Sequence, residues 1–223
     1  MVLALFDLDG TLLDGDSNIE WSELLAEHGA QDAARTHAFH AQYHAGTLDI
    51  DEFFRFQLEP LARLPRATLE AWRRDFLDQR ILPRLSRAAL TLVREHQGFG
   101  HETVLITATN SFLTRPIADA LGIPHLIASE PEERHGRFSG RLAGPPCYRE
   151  GKIAKLESWL AARGERLDAL AASFFYSDSH NDLPLLSRVT HPVAVDPDPR
   201  LCAHARAHGW PVLDLHRATL AAG

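Results

Sequence analysis

With 223 residues, 45% of them apolar and 24% charged, the chain can build one sizeable core and a smaller satellite unit, and its composition excludes disordered and fibrous classes. A formal charge of −7 without a long basic run argues against a partner gripped through nucleic-acid phosphates. The opening MVLALFDLDG carries no basic leader, no stretch approaches the ~18 apolar residues of a membrane span, and Cys147 and Cys202 lack any CxxC spacing, so the expectation is a cytoplasmic protein with no membrane partner and two inert thiols.

In chain order, the apolar run Val2 to Phe6 ends in acid and glycine and predicts a buried strand running into a loop. Next comes a stretch from about 16 to 82 without a convincing strand. Ser17-Asn18-Ile19-Glu20 reads as a capping box starting a helix at about Asn18, with Trp21, Leu24, Leu25 and His28 following at helical spacing. Leu69, Trp72, Phe76 and Leu77 form a second helical pattern, and Pro60, Pro65 and Pro83 punctuate the region. Further strands are predicted at Thr103–Ala108, His125–Ala128, Phe174–Tyr176, Val193–Val195 and Pro211–Leu213, with crossover helices at Phe112–Leu121 and Ile153–Leu160. His135–Arg141, with Gly136 and Gly140, predicts a β-hairpin. Strands alternating with helices imply an α/β fold: a parallel sheet covered on both faces, interrupted by a helical insertion after the first strand.

The chemistry starts in Phe6-Asp7-Leu8-Asp9-Gly10-Thr11, beyond the carboxyl end of the first strand, where open α/β sheets bind ligands. Asp7 and Asp9 are two residues apart, so near-extended backbone sends both carboxylates the same way. Held together they repel unless a cation intervenes, and an all-oxygen set of this kind suits Mg²⁺ with a substrate phosphate completing the shell. A lone pair of this type is more often an acidic surface turn, so its meaning depends on what accompanies it. A calcium-loop reading of Asp14-Gly15-Asp16-Ser17-Asn18 fails, because Ile19 stands where glycine is required and Leu25 where a bidentate glutamate is required.

The accompaniment is Thr107 at the end of the Val104–Ile106 strand, Lys152 at a helix start, and Ser177-Asp178-Ser179-His180-Asn181-Asp182 after the Phe174–Tyr176 strand. In order and placement these resemble the four motifs of the haloacid dehalogenase-like hydrolase superfamily. The match runs essentially end to end, and the helical insertion resembles the cap of its phosphoserine-phosphatase-like branch. The resemblance implies a Rossmann-like three-layer core from residues 1–15 and 83–223, with a helical cap over 16–82. It implies a Mg²⁺-dependent phosphatase acting on a small phosphorylated metabolite through an aspartyl-phosphate on Asp7. Asp9 would protonate the leaving alcohol and then deprotonate water. Metal ligands would be the Asp7 carboxylate, the Asp9 carbonyl and Asp178, supported by Asp182. Thr107, the Ala108 N–H, Asn181 and Lys152 would hold the phosphate. At ~4 Å a carboxylate and a phosphate charge repel by roughly 4 kcal/mol at an effective dielectric of 20, so the cations are needed on magnitude alone. A phosphotransferase or mutase could use the same intermediate; a non-catalytic binding module would be expected to lack Asp7, Asp9 or Asp178.

Two further groups bear on specificity. His37, His40 and His44 share a possible helix face and His204 and His208 are four apart, yet no HExxH accompanies them, so they read as surface imidazoles; the four tryptophans read as packing. Asp16 stands nine residues after Asp7, where phosphoserine phosphatases carry the acid that meets the substrate's amine. At the position of their carboxylate-binding arginine stands Gln57, with Arg55 two residues away along the helix. Keeping the amine partner while losing the carboxylate partner predicts an amino-alcohol phosphate: histidinol phosphate first, phosphoethanolamine or phosphocholine next, and phosphoserine a poor substrate.

Overall fold

A computed structural model describes residues 1–216. Strand β1 (Val2–Phe6) is followed by four helices, α1 (Ser17–Glu27), α2 (Ala33–Ala45), α3 (Ile50–Arg63) and α4 (Arg66–Phe76), before α5 (Arg87–Gly98) returns the chain to β2 (Glu102–Asn110). Then come α6 (Ser111–Ala120), β3 (His125–Ser129), the hairpin β4 (Pro131–Arg134) and β5 (Arg137–Leu142), and α7 (Glu150–Ala161). The chain closes with β6 (Ala172–Ser177), α8 (Leu183–Leu186), β7 (His191–Val195), α9 (Pro199–His208) and β8 (Val212–Leu213). Six strands pair in parallel in the order β3-β2-β1-β6-β7-β8.

β1 sits at the centre and is buried on both faces, which explains its unbroken apolar run. Ala4 and Phe6 face one core with Ala89, Val93, Leu113 and Ile117 of α5 and α6. Leu3 and Leu5 face the other core with Leu156, Leu160, Leu201 and Ala205 of α7 and α9. The period-2 alternation of one strand thus splits the interior into two layers around the sheet. The chain moves from β1 outward through β2 and β3, then returns to β1's other side for β6 and β7, so the loops after β1, β2 and β6 meet at one switch point.

The helical insertion refines the sequence expectations. The N-cap of α1 is Asp16, not Ser17: its carboxylate accepts from the backbone N–H groups of Asn18 and Ile19, while Ser17 is already helical and buried. Pro60 does not end a helix but lies inside α3. Its missing N–H would leave the Phe56 carbonyl unpaired, and Gln31 Nε2 donates to that oxygen at 2.9 Å. His28 does not join the apolar stripe of Trp21, Leu24 and Leu25; it is exposed and stacks on Trp72 at 4.1 Å. Helix α4 widens into a π-turn over Leu77–Ile81, carrying Arg80 towards Glu20, Glu23 and Glu27 of α1. Among the described residues no helix is long and apolar enough to cross a membrane. Cys147 is buried and burial pushes its thiol up to about 12, so it packs as a small hydrophobe.

Behind β1, His96 of α5 lies in the core with Nε2 2.8 Å from the Tyr176 hydroxyl and Nδ1 2.8 Å from His101 Nδ1, edge-on to Phe6 and Phe174. Burial, helped by neighbouring His101, pulls its imidazole down to about 4. An unfolded histidine titrates near 6.5, so between pH 6.5 and 4 the unfolded chain binds the extra proton. His96 therefore contributes its full stability above pH 6.5, and that contribution drains away as pH falls towards 4. Melting temperatures of wild type and His96→Gln between pH 7 and 5 should show the steeper fall in wild type; parallel curves would remove His96 from the acid response.

Candidate active site

The switch point opens into a cavity of about 400 Å³ whose floor is the sheet and whose roof is α1, α2 and α3. Asp7 follows β1 directly, its backbone N–H still donating to the Tyr176 carbonyl at 3.0 Å, so the strand register aims its side chain into the cavity. The ammonium of Lys152 bridges Asp7 Oδ1 at 2.8 Å and Asp182 Oδ2 at 2.6 Å, and all three side chains are nearly inaccessible. Ser177 Oγ donates to Asp182 Oδ2 at 2.8 Å, fixing that carboxylate in turn. Gly151 lets α7 come this close: a Cβ there would collide with the Pro146 carbonyl.

Asp178 is held from the β1 loop. Thr11 Oγ1 accepts from the Asp178 backbone N–H at 3.0 Å and donates to its Oδ1 at 3.3 Å. Gly10, at φ +73°, passes so close that any side chain would strike the Asp178 carboxylate. Asp9 Oδ1 accepts from the Ser17 backbone N–H at 2.6 Å, and its Oδ2 accepts from Thr109 Oγ1 at 2.9 Å. Thr107 Oγ1 accepts from the Thr109 N–H at 3.1 Å, and Thr107 and Ala108 both line the cavity.

Charge is the dominant feature. Asp7, Asp9, Asp16, Glu20, Asp178 and Asp182 line the cavity, and Lys152 is the sole Lys or Arg among the described residues lining it. Burial pushes the Asp7 carboxyl up to about 7 against the pull of Lys152. It does the same to Asp9, with the charge of Asp16 adding. Asp178 is driven well above the ordinary range by burial and then by Asp7 and Asp182. Lys152, despite its burial, is held above its usual value by Asp182 and Asp7. So much desolvated anion calls for a further cation. The donor set is all oxygen, and two carboxylates with a backbone carbonyl suit Mg²⁺, which keeps part of its water shell. Among the described residues no three His, Cys, Asp or Glu side chains gather closely enough to hold a metal ion by themselves.

The remaining expected residues fall unequally. Asp16 borders the cavity while its Oδ1 caps α1, and its Oδ2 lies 3.9 Å from His40 Nε2. Asn181 is buried but turned away: its carbonyl accepts from Tyr148 OH and the Arg149 guanidinium, and its Nδ2 donates to Ser179 Oγ at 3.3 Å. Lys155, one turn beyond Lys152, does not border the cavity. His37 lies 3.8 Å from Glu23, His204 and His208 stack at 3.9 Å, and the His44 side chain lies outside the described residues.

Sequence reading missed several residues. Tyr43 of α2 lines the cavity and donates to Ser179 Oγ at 3.1 Å, tying cap to core, and Tyr148 joins the same wall. His216 Nε2 lies 3.1 Å from the Gly10 carbonyl, and Asp198 accepts from both N and Nδ1 of His180. None of these belongs to a spaced motif. Asp198 also caps α9, its side chain accepting from the Arg200 and Leu201 N–H groups.

A chain with this sheet order, cap position and acid cluster is a hydrolase of the capped α/β type, and comparison with known proteins makes that specific. The family described as haloacid dehalogenase-like hydrolase matches residues 4–187, and the chain belongs to that family, in its phosphoserine-phosphatase-like branch. It is 44% identical over 217 residues to a histidinol-phosphatase of Neisseria meningitidis serogroup C (strain 8013), covering 95% of this chain and 98% of that protein. A crystal structure of a protein of unknown function from Bordetella pertussis Tohama I superposes with a TM-score of 0.91 at 46% identity, covering 96% and 98% of the two chains. A substrate-bound phosphoserine phosphatase shares the fold, with a TM-score of 0.71 at 18% identity over 95% and 91%. The chain is a phosphatase of this hydrolase family.

The salt-bridged triad gives a direct test. Lys152→Met leaves Asp7 and Asp182 buried beside each other without their cation, and removing one partner of a buried pair costs about 3–5 kcal/mol. Urea unfolding in metal-free buffer at pH 8 should report a loss of that order, and a loss below about 1 kcal/mol would mean that solvent or rearrangement satisfies the two acids.

Proposed function

We propose that the protein is a Mg²⁺-dependent phosphomonoesterase that forms an aspartyl-phosphate on Asp7, with histidinol phosphate as its leading substrate. Residues 1–15 and 83–223 form the catalytic core in this reading, and 16–82 the cap that closes over it. The observation that carries it is the pairing of Asp7 with buried Lys152 at the floor of an acidic cavity. An Asp7 carboxylate oxygen attacks phosphorus, and the bond to the leaving alcohol breaks. Lys152, with the Thr107 hydroxyl and the Ala108 N–H, offers donors to the phosphoryl oxygens. Asp9, locked by Ser17 and Thr109, supplies a proton to the leaving oxygen and takes one from the water that then cleaves the intermediate. The Asp7 and Asp178 carboxylates and the Asp9 carbonyl would hold Mg²⁺, whose charge offsets the repulsion between nucleophile and phosphate. Asp182 acts on Lys152 in this scheme, and Asn181 acts on Arg149 rather than on phosphate.

Asp7→Asn and Asp9→Asn should each lower phosphate release by at least about 1000-fold with the fold intact, since nucleophile and acid–base functions are lost outright. EDTA should abolish release and Mg²⁺ restore it, while Ca²⁺, with its larger and looser shell, should not. Asp7→Asn retaining a tenth of wild-type turnover would exclude the covalent route.

Substrate preference follows from the cap. Asp16 offers a carboxylate to an amine, and Gln57 offers no charge to a carboxylate, so histidinol phosphate should be hydrolysed with a kcat/KM well above that for phosphoserine. Asp16→Asn is the informative variant, because Asn still caps α1 while losing the charge. It should shrink the preference about tenfold or more; equal rates on the two substrates in wild type, or a ratio unmoved by the variant, would reject this assignment.

A further inference from the structure

Two polar atoms in the cavity wall are buried without a hydrogen-bond partner: Thr36 Oγ1 and Gln57 Oε1. Thr36 is 2% exposed and Gln57 1%. Neither belongs to the phosphate end of the site; they come from α2 and α3, on the cap side. Gln57 donates its Nε2 to Ser22 Oγ at 3.3 Å, and its carbonyl oxygen has no partner. Most buried side-chain polar atoms find a partner, and of the unpartnered ones here, which include the Gln31 amide oxygen away from the cavity, these two stand in the cavity wall, where a ligand can complete the bond. A carbonyl accepts and never donates, which fixes the ligand's contribution as an N–H or O–H.

The neighbouring wall defines the shape of that group. Phe39 and Phe53 both line the cavity, edge to face with ring centres 5.7 Å apart, and Leu48 and Ile50 extend the apolar surface. Apolar aromatic walls with one or two acceptors suit a flat ring carrying a donor at its edge. A carboxylate tail would bring anionic oxygens against the Gln57 carbonyl with nothing to neutralise them. Arg55 cannot help, since it is exposed and its Nε donates to the Asp51 carbonyl at 3.3 Å.

We infer that Gln57 Oε1 and Thr36 Oγ1 are specificity determinants that bind the edge N–H of a nitrogen heteroaromatic ring at the substrate's tail, packed against Phe39 and Phe53. This rests on the phosphatase reading and adds to it a ring-binding subsite distinct from Asp16. It gives the position that carries an uncharged side chain a positive role in recognition.

The test compares histidinol phosphate with its analogue in which the ring N–H is replaced by sulfur, a thiazole of nearly the same shape. Free phosphate is measured with wild type, Gln57→Leu and Thr36→Val. The ratio of kcat/KM for the two substrates does not depend on how much of each preparation is folded. Wild type should favour the imidazole by about 10–100-fold, the value of a hydrogen bond whose loss strands a buried acceptor. Gln57→Leu should bring the ratio to within about threefold of unity, and if that variant yields no active protein, Thr36→Val carries the same expectation of a narrowed ratio. A wild-type ratio near one, or a wild-type ratio retained by the variants, overturns the subsite while leaving the phosphatase reading intact. No phosphate from either substrate or from phosphoethanolamine with wild type and Mg²⁺ overturns the phosphatase reading and the subsite with it.

Discussion

Lys152 bridges two buried carboxylates, and much of the rest of the site can be understood as what it takes to make that arrangement tolerable. Moving charges out of water is costly, and an ammonium between Asp7 and Asp182 is retained only where the geometry is tight and the spare lone pairs are satisfied. Ser177 provides that for Asp182, the Gly151 close approach brings the helix near enough, and the Tyr176 carbonyl fixes the backbone of Asp7. The neighbouring Asp9 and Asp178 form no salt bridge among the described residues, and burial raises both despite the pull of Lys152 on Asp178. So much desolvated negative charge is what the proposed Mg²⁺ would offset.

The same economy links cap to core. Asp9 is oriented by the first helical residue of the cap, Ser17, and by Thr109 at the end of β2, while Asn18 Nδ2 reaches Thr109 Oγ1 at 2.6 Å. One threonine thus reads the position of both the cap helix and the loop after β1. Tyr43 makes a second cap-to-core bridge through Ser179. Asp16 caps α1 with one oxygen and lines the cavity, so the element that closes the site is anchored by a residue that faces into it. If α1 and α2 shift away from the sheet, Asp9 loses the Ser17 donor and Ser179 loses Tyr43.

The cavity is also divided by chemistry. Its sheet side presents Asp7, Asp9, Asp178, Asp182 and Lys152, and its helical side presents Phe39, Phe53 and two unpaired oxygens beside the carboxylates of Asp16 and Glu20. Oriented binding of a molecule with an anionic end and a flat hydrogen-bonding end follows from that asymmetry. It also accounts for a cap that replaces a charged anchor with an amide in α3, since a guanidinium beside Phe39 and Phe53 would suit an anionic tail instead.

Sequence alone determined the elements whose signals are local. An apolar run buried on both faces of a parallel sheet reads as a strand whatever surrounds it, so β1, β2, β6 and β7 were legible, and the loops carrying Asp7, Asp9 and Asp178 begin where the β1 and β6 runs stop. The long strandless stretch between β1 and β2 likewise announced a helical insertion. What only the tertiary structure decided depends on distance through space. Asp16 rather than Ser17 caps α1 because Ser17 is drawn to Asp9 and Thr109, 92 residues apart from it in sequence in the latter case. Pro60 survives within α3 because Gln31 supplies the donor that the proline lacks. Asn181 turns to Arg149, and Gln57 becomes an acceptor with an unpaired oxygen, because of neighbours brought together by the packing of helices. Periodicity records which face of an element is apolar; it does not record which partner a buried polar atom finds, or that one is left for a ligand.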